Sequence, residues 1–229
     1  MLGVIGGMGP LATADFFRKL IDATPANDDD EHIPVLIHSV PQIPSRPAAI
    51  LRGGPSPLPA LIAARDRLLN AGATLLAMPC NTAHHWYDGL VDGCPVPFIH
   101  IVDAVADLLP PDAAELGIVA TRATLEARVF QRRLATRGIA LTAPDEGTYD
   151  RAVQPAIEAV KRGATKDAGR LLEPVIAGQL DHGATAVVLA CTELPIALDA
   201  IESPLRARCI DSTDALARAC VRQWKGRAG

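Results

Sequence analysis

Two cysteines of the chain stand in the same local setting. Cys80 follows the apolar run Thr-Leu-Leu-Ala-Met-Pro and comes directly before Asn81 and Thr82. Cys191 follows the run Ala-Val-Val-Leu-Ala and comes directly before Thr192. Each run is typical of a buried strand, and the polar residues behind it favour the start of a helix. The pattern therefore predicts, twice, a thiol at the junction of a strand and a helix.

The chemistry of two such thiols is proton transfer. The amino end of a helix lowers the pKa of a cysteine, so either thiol is predicted to ionise near neutral pH. When two thiols share a site, repulsion favours one thiolate beside one thiol. That state offers a base on one face of a bound carbon atom and an acid on the other, and such a transfer inverts the carbon. His84 follows Cys80 within one helical turn, where it either relays protons to the thiol or simply packs.

The chain also carries an internal repeat. The triplet Gly-Ala-Thr begins at Gly72 and at Gly183, eight positions before each of the two cysteines, so the two copies are 111 residues apart. Leu-Gly-Val from Leu2 resembles Leu-Gly-Ile from Leu116 at nearly the same offset. We interpret these matches as two similar halves of the chain. If the halves face each other, the two thiols line one cleft from opposite walls.

The alternation of predicted strands and helices indicates an α/β fold with parallel sheets covered on both faces. Strands are predicted at 2–6, 35–40, 74–78, 98–102, 115–120, 139–143, 186–190 and 205–210. Helices are predicted at 11–23, 57–71, 81–91, 103–109, 121–137, 146–162, 165–182 and 212–224. The Pro110-Pro111 pair is the first candidate for a boundary between the halves. In parallel sheets, ligands bind beyond the carboxyl ends of the strands, where both cysteines are predicted.

The composition argues against several classes of function. The 229 residues are 49% hydrophobic and 21% charged with a net charge of −4, and no basic stripe indicates a nucleic-acid partner. No apolar run reaches the roughly 20 residues that span a bilayer, so no membrane partner is expected. Five cysteines without metal-ligand spacing argue against a disulfide framework and a metal site, and they favour a reducing cytoplasm.

Two loops at predicted strand ends supply further candidates for ligand contact. The glycine turn around Met8 lets a ligand approach the backbone closely, but it lacks the pattern of a nucleotide-binding loop. The proline-rich loop 41–47 contains a single cation, Arg46. A loop after a strand of an α/β protein is a frequent place for ligand contacts, so Arg46 is a candidate for binding an anionic group.

Four segments of the chain form a pattern that is specific when they are taken together. They are Gly6-Gly-Met-Gly-Pro-Leu-Ala-Thr13, Pro41-Gln-Ile-Pro44, Met78-Pro-Cys-Asn-Thr-Ala-His84 and Cys191-Thr-Glu193. The pattern resembles the aspartate/glutamate racemase family, which works without a cofactor. The aspartate-racemase-like branch fits best, because glutamate racemases of cell-wall synthesis carry a histidine where Glu193 stands.

The resemblance implies two flavodoxin-like domains related by pseudo-twofold symmetry, with the active site in the cleft between them. It implies a first domain at residues 1–103 plus 208–229 and a second at 104–207, because the last strand and helix return to the first. It further implies that Cys80 and Cys191 form the acid–base pair. The expected assembly is a homodimer that binds a small amino acid and uses no cofactor.

The resemblance also assigns the substrate contacts. Arg46 aligns with an arginine that binds the side-chain carboxylate, and Lys161 aligns with a lysine near the same end of the substrate. Glu193 either accepts the substrate ammonium group or tunes Cys191. The expected contacts are Met8, Arg46, Asn81, Thr82, Thr121, Lys161, Thr192 and Glu193. The α-carboxylate is expected among the backbone N–H groups and hydroxyls of this set.

The predicted function is therefore racemisation of aspartate, or of glutamate, by a thiolate and a thiol. Three relatives with two thiols are alternatives: a broad-specificity amino acid racemase, a hydantoin racemase and a maleate isomerase. A different class is an amino-acid-binding module that has lost catalysis. Such a module would bind aspartate without exchanging its α-proton.

Overall fold

Two parallel sheets carry the fold in the computed structural model, which describes residues 1–110 and 113–226. The first sheet contains β1 (Leu2–Gly6), β2 (Val35–Ser39) and β3 (Leu75–Ala77) in the order β2-β1-β3. The second contains β4 (Glu115–Ala120), β5 (Ala140–Thr142), β6 (Val187–Ala190) and β7 (Cys209–Asp211) in the order β5-β4-β6-β7. Every pairing is parallel, as the alternation of elements predicted.

Helices connect the strands and cover both sheets. The α-helices are α1 (Pro10–Ala23), α2 (Arg46–Arg52), α3 (Leu58–Asn70), α4 (Tyr87–Val91), α5 (Ile101–Ala106), α6 (Arg122–Glu126), α7 (Val129–Ala135), α8 (Glu146–Thr148), α9 (Gln154–Lys161), α10 (Thr165–Asp181), α11 (Leu194–Ala200) and α12 (Ser212–Lys225). A π-helix joins α8 to α9, and 3₁₀ helices cover Asp29–Glu31, Thr82–Trp86 and Pro204–Arg208. No helix among the described residues is both long enough and apolar enough to cross a membrane.

The core has three parts because side chains of each strand alternate between the two faces of its sheet. The central part collects the facing sides of both sheets, with Leu2 and Val4 from β1 and Val188 from β6. The outer side of the first sheet packs under α3, and the outer side of the second packs under α9, α10 and α11. The two halves therefore share one continuous apolar core at their junction.

The internal repeat is visible in the strand pairing. Strands β2-β1-β3 and β5-β4-β6 have the same order and direction. An isolated parallel bridge joins Leu76 to Phe98, and β7 pairs with β6 through Val187 and Cys209. Both members of the second pair lie 111 residues after those of the first, which is the offset of the sequence repeat. The prediction of two similar α/β halves is confirmed.

Two strand predictions were wrong in detail. The segment 98–102 forms only the bridge at Phe98, and α5 begins at Ile101, where the side chain of His100 accepts a hydrogen bond from the backbone of Val102. The segment 205–210 is mostly a 3₁₀ helix that starts at Pro204, so β7 begins only at Cys209. In both places a local cap or proline competes with the apolar pattern.

The last two elements lie on different halves. Strand β7 extends the second sheet, whereas α12 packs against α1 and α5. The last helix therefore returns to the first half as expected, whereas the last strand pairs within the second sheet. The division at 1–103 plus 208–229 and 104–207 stays a prediction. Of the Pro110-Pro111 pair, the second proline lies outside the described residues.

A buried ionic cluster ties α12 and β7 to α1. The carboxylate of Asp211 lies 2.7 Å from Lys19 Nζ and 2.7 Å from Arg206 Nη2, and it accepts hydrogen bonds from Thr213. Burial alone would raise the pKa of Asp211, but the positive charges of Lys19 and Arg206 hold it below its usual value. Its contribution to stability is therefore present above about pH 4 and lost as the pH falls through the folded-state pKa.

We expect Asp211→Asn to lower the free energy of unfolding by about 3 kcal/mol at pH 7, because buried Lys19 and partly exposed Arg206 lose the buried partner that they share. Urea denaturation measures the change. Asp214→Asn, in the first turn of α12 directly after Asp211, is the control, since its partner Arg218 is half exposed and the expected loss is at most about 1 kcal/mol. Equal losses in the two variants would contradict a special role for the buried cluster.

Candidate active site

The two thiols lie at equivalent ends of equivalent strands. Cys80 follows β3 and Cys191 follows β6, and both side chains are buried. They line one cavity together with every substrate contact expected from the sequence. The lining residues are Met8, Arg46, Pro47, Cys80, Asn81, Thr82, Thr121, Lys161, Cys191, Thr192 and Glu193. Pro47, beside Arg46 in α2, is the one member of this set that the sequence did not single out.

The cavity between the thiols measures about 40 Å³. One water molecule needs roughly 10–15 Å³ of such space, so the cavity holds only a few water molecules. The residues that line the cavity therefore lie close together in the empty site.

The thiols themselves differ from the sequence-based expectation. Burial raises the pKa of Cys80, although the positive charge of Arg46 offsets part of this rise. Burial also raises the pKa of Cys191 well above its usual value, and the carboxylate of Glu193 adds to it. The prediction that either thiol ionises near neutral pH in the empty site was wrong. The helices behind the thiols are a short 3₁₀ turn and the seven-residue α11, so their amino ends do not outweigh desolvation.

Glu193 is in direct contact with one thiol. Cys191 Sγ donates to Glu193 Oε2 over 3.0 Å, and the hydroxyl of Thr192 donates to the same oxygen over 3.1 Å. A carboxylate at this distance is an acceptor for the thiol proton. The contact agrees with the second of the two roles expected of Glu193, the tuning of Cys191, and both roles stay predictions.

Two cations face the same cavity. Arg46 begins α2, and its Nη1 donates to the carbonyl oxygens of Ile43 and Pro44 over 3.0 and 3.1 Å. Its Nε is buried and, among the described residues, has no hydrogen-bond partner. Lys161 ends α9 and lines the cavity on the other half. Such an arrangement is suited to anionic oxygens, such as those of a carboxylate.

Three hydroxyl groups join the two halves across the cavity wall. Thr82 Oγ1 lies 3.0 Å from Thr121 Oγ1 and 2.8 Å from Thr124 Oγ1, and the last two are 2.9 Å apart. Thr82 follows β3, whereas the other two begin α6 of the second half. Thr124 is fully buried and was missed by the sequence reasoning. The signal for it was present, since it follows a buried strand as closely as Thr82 does.

His84 holds the backbone of Cys80 and does not reach the thiol. Its Nε2 accepts a hydrogen bond from the N–H of Ile101 over 3.2 Å, so the ring proton lies on Nδ1, which donates to the carbonyl oxygen of Cys80 over 2.9 Å. Burial lowers the pKa of His84 to about 4, which keeps the ring neutral near pH 7. Of the two readings left open, packing is therefore the one that the geometry favours.

A family model described as Asp/Glu/Hydantoin racemase matches residues 5–220 of the chain. The chain is 28% identical over 227 residues to the broad specificity amino-acid racemase RacX of Bacillus subtilis (strain 168), with 96% of each protein covered. The structure superposes on Picrophilus torridus aspartate racemase with a TM-score of 0.85 and 32% identity, covering 97% of this chain and 93% of that chain.

A more distant structure shares the fold. An aspartate racemase homologue from Pyrococcus horikoshii OT3 superposes with a TM-score of 0.77 and 23% identity over 98% of each chain. The family match extends over nearly the whole chain, and its two-sheet architecture agrees with that of the solved relatives. The chain therefore belongs to the Asp/Glu/hydantoin racemase family and is an isomerase.

Proposed function

We propose that the protein racemises aspartate, and glutamate as a second acidic substrate, by proton transfer between Cys80 and Cys191. The observation that carries the proposal is the shared cavity, where two thiols from opposite halves meet the two cations Arg46 and Lys161. The thiols supply the acid and the base. The cations select a substrate with a side-chain carboxylate. The similarity to an aspartate racemase of 32% identity supports the same substrate class.

The surroundings of the two thiols differ, and this difference favours the loss of the proton from Cys80 over its loss from Cys191. Arg46 lowers the cost of a negative charge on Cys80, whereas Glu193 raises it on Cys191 and accepts the thiol proton in a hydrogen bond. The reactive form of the pair is therefore a Cys80 thiolate with a Cys191 thiol. Its formation requires the loss of one proton from a pair that burial holds protonated in the empty site.

The transfer itself moves two protons. In one direction, the Cys80 thiolate takes the α-proton, so the Cα–H bond breaks and an S–H bond forms. The Cys191 thiol then gives its proton to the opposite face of Cα, which leaves a Cys191 thiolate beside Glu193. Proton exchange with water resets the pair, and the opposite enantiomer runs the same steps in reverse.

Negative charge develops on the α-carboxylate during this exchange. Backbone N–H groups behind the two cysteines, that of Thr192 included, and the hydroxyls of Thr82 and Thr121 are the donors available to stabilise it. The hydroxyls of Thr82 and Thr121 bond to one another in the empty site, so a bound carboxylate would take over one of these protons. Substrate binding would thus replace contacts between the halves with contacts to the substrate.

A broad-specificity amino-acid racemase is the second candidate. The observation that favours it is the 28% identity to the Bacillus subtilis enzyme over nearly the whole of both chains. The two candidates share the thiol chemistry and differ in what Arg46 and Lys161 contribute. An acidic substrate uses both cations, whereas a neutral amino acid leaves them without a partner carboxylate.

Chiral chromatography after incubation with single amino acids tests the proposal. We expect kcat/KM for aspartate to exceed that for alanine and homoserine by at least about tenfold, which corresponds to one good charged contact. Equal values would favour the broad-specificity candidate. Binding of aspartate without racemisation would instead indicate an amino-acid-binding module and contradict both candidates.

Homodimer assembly and a cytoplasmic setting complete the proposal. The apolar side chains of Phe17 and Ile21 on α1 and of Ile37 on the outer strand β2 are exposed, which supports burial against a second copy. All five cysteines, including Cys80 and Cys191, are free, which supports a reducing compartment.

A further inference from the structure

We infer that Ser212, the first residue of α12, is a positioning residue of this site. It fixes the side-chain amide of Asn81 so that Oδ1 faces the substrate and accepts a hydrogen bond from its ammonium group. The inference rests on the proposed function and deepens it, because it assigns how an amino acid is told apart from the corresponding acid without an amino group.

The hydrogen bonds of Ser212 make its oxygen an acceptor toward Asn81. The side chain is fully buried, and its Oγ lies 2.8 Å from the carbonyl oxygen of Leu189 in β6. A carbonyl only accepts, so the single hydroxyl proton of Ser212 goes to Leu189. The Ser212 oxygen is then an acceptor for any other neighbour. That neighbour is Asn81 Nδ2, which donates over 3.0 Å.

The orientation of the Asn81 amide follows from this chain of donors. Rotating the amide by 180° would place Oδ1 against an oxygen that has no proton to give, so two acceptors would face each other. Nδ2 therefore stays on Ser212 and Oδ1 points away from it. Asn81 lines the cavity between the thiols, and its Oδ1 is buried without a hydrogen-bond partner among the described residues.

An unpartnered buried acceptor on a residue that lines this cavity fits an ammonium group. Most of the polar groups around the cavity are donors, namely the two cations, the threonine hydroxyls and the backbone N–H groups. The acceptors are the carboxylate of Glu193 and the amide oxygen of Asn81. Because an ammonium group donates up to three hydrogen bonds and an orphaned acceptor costs free energy, the ammonium group of a bound amino acid is the partner that Asn81 Oδ1 lacks in the empty site.

The position of Ser212 in the fold makes it suited to this role. It lies between β7 of the second sheet and α12, and its neighbour Asp211 is held by Lys19 of α1. The serine thus reaches Asn81, which follows β3 of the first sheet, across the junction of the two halves. A residue 131 positions away in sequence therefore sets the direction of the amide.

The test compares Ser212→Ala with the wild type, using aspartate and succinate as the probes. Succinate is aspartate without its ammonium group and keeps both carboxylates. Removing the Ser212 oxygen frees the Asn81 amide to rotate, so we expect the KM for L-aspartate to rise about tenfold or more, as for one lost charge-assisted hydrogen bond. The inhibition constant of succinate is expected to change less than about twofold.

Two further variants separate positioning from packing. Ser212→Cys keeps a weak acceptor of similar shape and is expected to give an intermediate KM. Cys220→Ala shortens another fully buried side chain of α12, and it is expected to lower stability without changing the ratio of aspartate to succinate binding. An equal effect of Ser212→Ala on aspartate and succinate, or no effect on either, would overturn the inference. Failure of the wild type to racemise any amino acid would instead contradict the proposed function.

Discussion

Replacing Cys191 by serine is expected to reduce the racemisation of aspartate by at least about a thousandfold, and replacing Cys80 is expected to do the same. A serine hydroxyl is a far weaker acid than a thiol, so each variant loses one partner of the proton exchange. General acid–base catalysis by one positioned group contributes roughly 10²- to 10⁴-fold. The rates with L-aspartate and with D-aspartate should both fall, because in the proposed mechanism each enantiomer needs both thiols.

Cys94→Ser is the matched control for these two variants. Cys94 is partly buried and its thiol bonds to the carbonyl oxygen of Val96, away from the cavity. The same chemical change at this position should leave kcat/KM within about twofold of the wild type, because surface and near-surface substitutions have small effects. Circular dichroism should show all three variants folded. Full activity of either cavity variant would contradict the two-thiol scheme.

Arg46→Ala is expected to reduce kcat/KM for aspartate by at least about a hundredfold. The guanidinium is anchored by two backbone carbonyls and presents its remaining donors to the cavity, where truncation leaves a carboxylate without its partner. A second, smaller effect acts through Cys80, since losing the positive charge raises the pKa of that thiol further. Alanine has no side-chain carboxylate, so only the second effect applies to it, and its kcat/KM should fall about tenfold or less.

Arg52→Ala provides the control at the other end of the same short helix. Arg52 is exposed and lies outside the cavity, so its removal should leave the kinetics of both substrates unchanged. Steady-state kinetics measures kcat/KM of Arg46→Ala and of Arg52→Ala, each with aspartate and with alanine as the substrate. If Arg46→Ala lowered kcat/KM for the two substrates by the same factor, the arginine would not bind the side-chain carboxylate.

Much of this site follows from local sequence patterns. A buried apolar run ending in a polar residue indicates the carboxyl end of a parallel strand. The internal repeat contains this pattern twice, once before each cysteine. Cys80 and Cys191 could therefore be paired from the sequence alone. Met8 and Arg46 were candidates from their loops at strand ends, Lys161 came from the family resemblance, and the structure brings all three to the cavity.

The features that the sequence did not reveal depend on distant parts of the chain. The pKa of a thiol depends on how deeply it is buried, and the desolvation of Cys80 outweighs the short helical turn behind it. Ser212 meets Asn81 only because β7 and α12 lie at the junction of the two halves. Strand β7 pairs with β6 of the second sheet, whereas the family resemblance had implied its return to the first domain.

Racemisation of L-aspartate in deuterated water, followed by NMR and mass spectrometry early in the reaction, tests the exchange between opposite faces most directly. In the proposed mechanism, the base that removes the α-proton and the acid that returns one are different thiols, and the acid has already exchanged with the solvent. Newly formed D-aspartate is therefore expected to carry deuterium at Cα while the remaining L-aspartate is still largely protiated. Equal deuterium in the two enantiomers, or protium retained in D-aspartate, would contradict it.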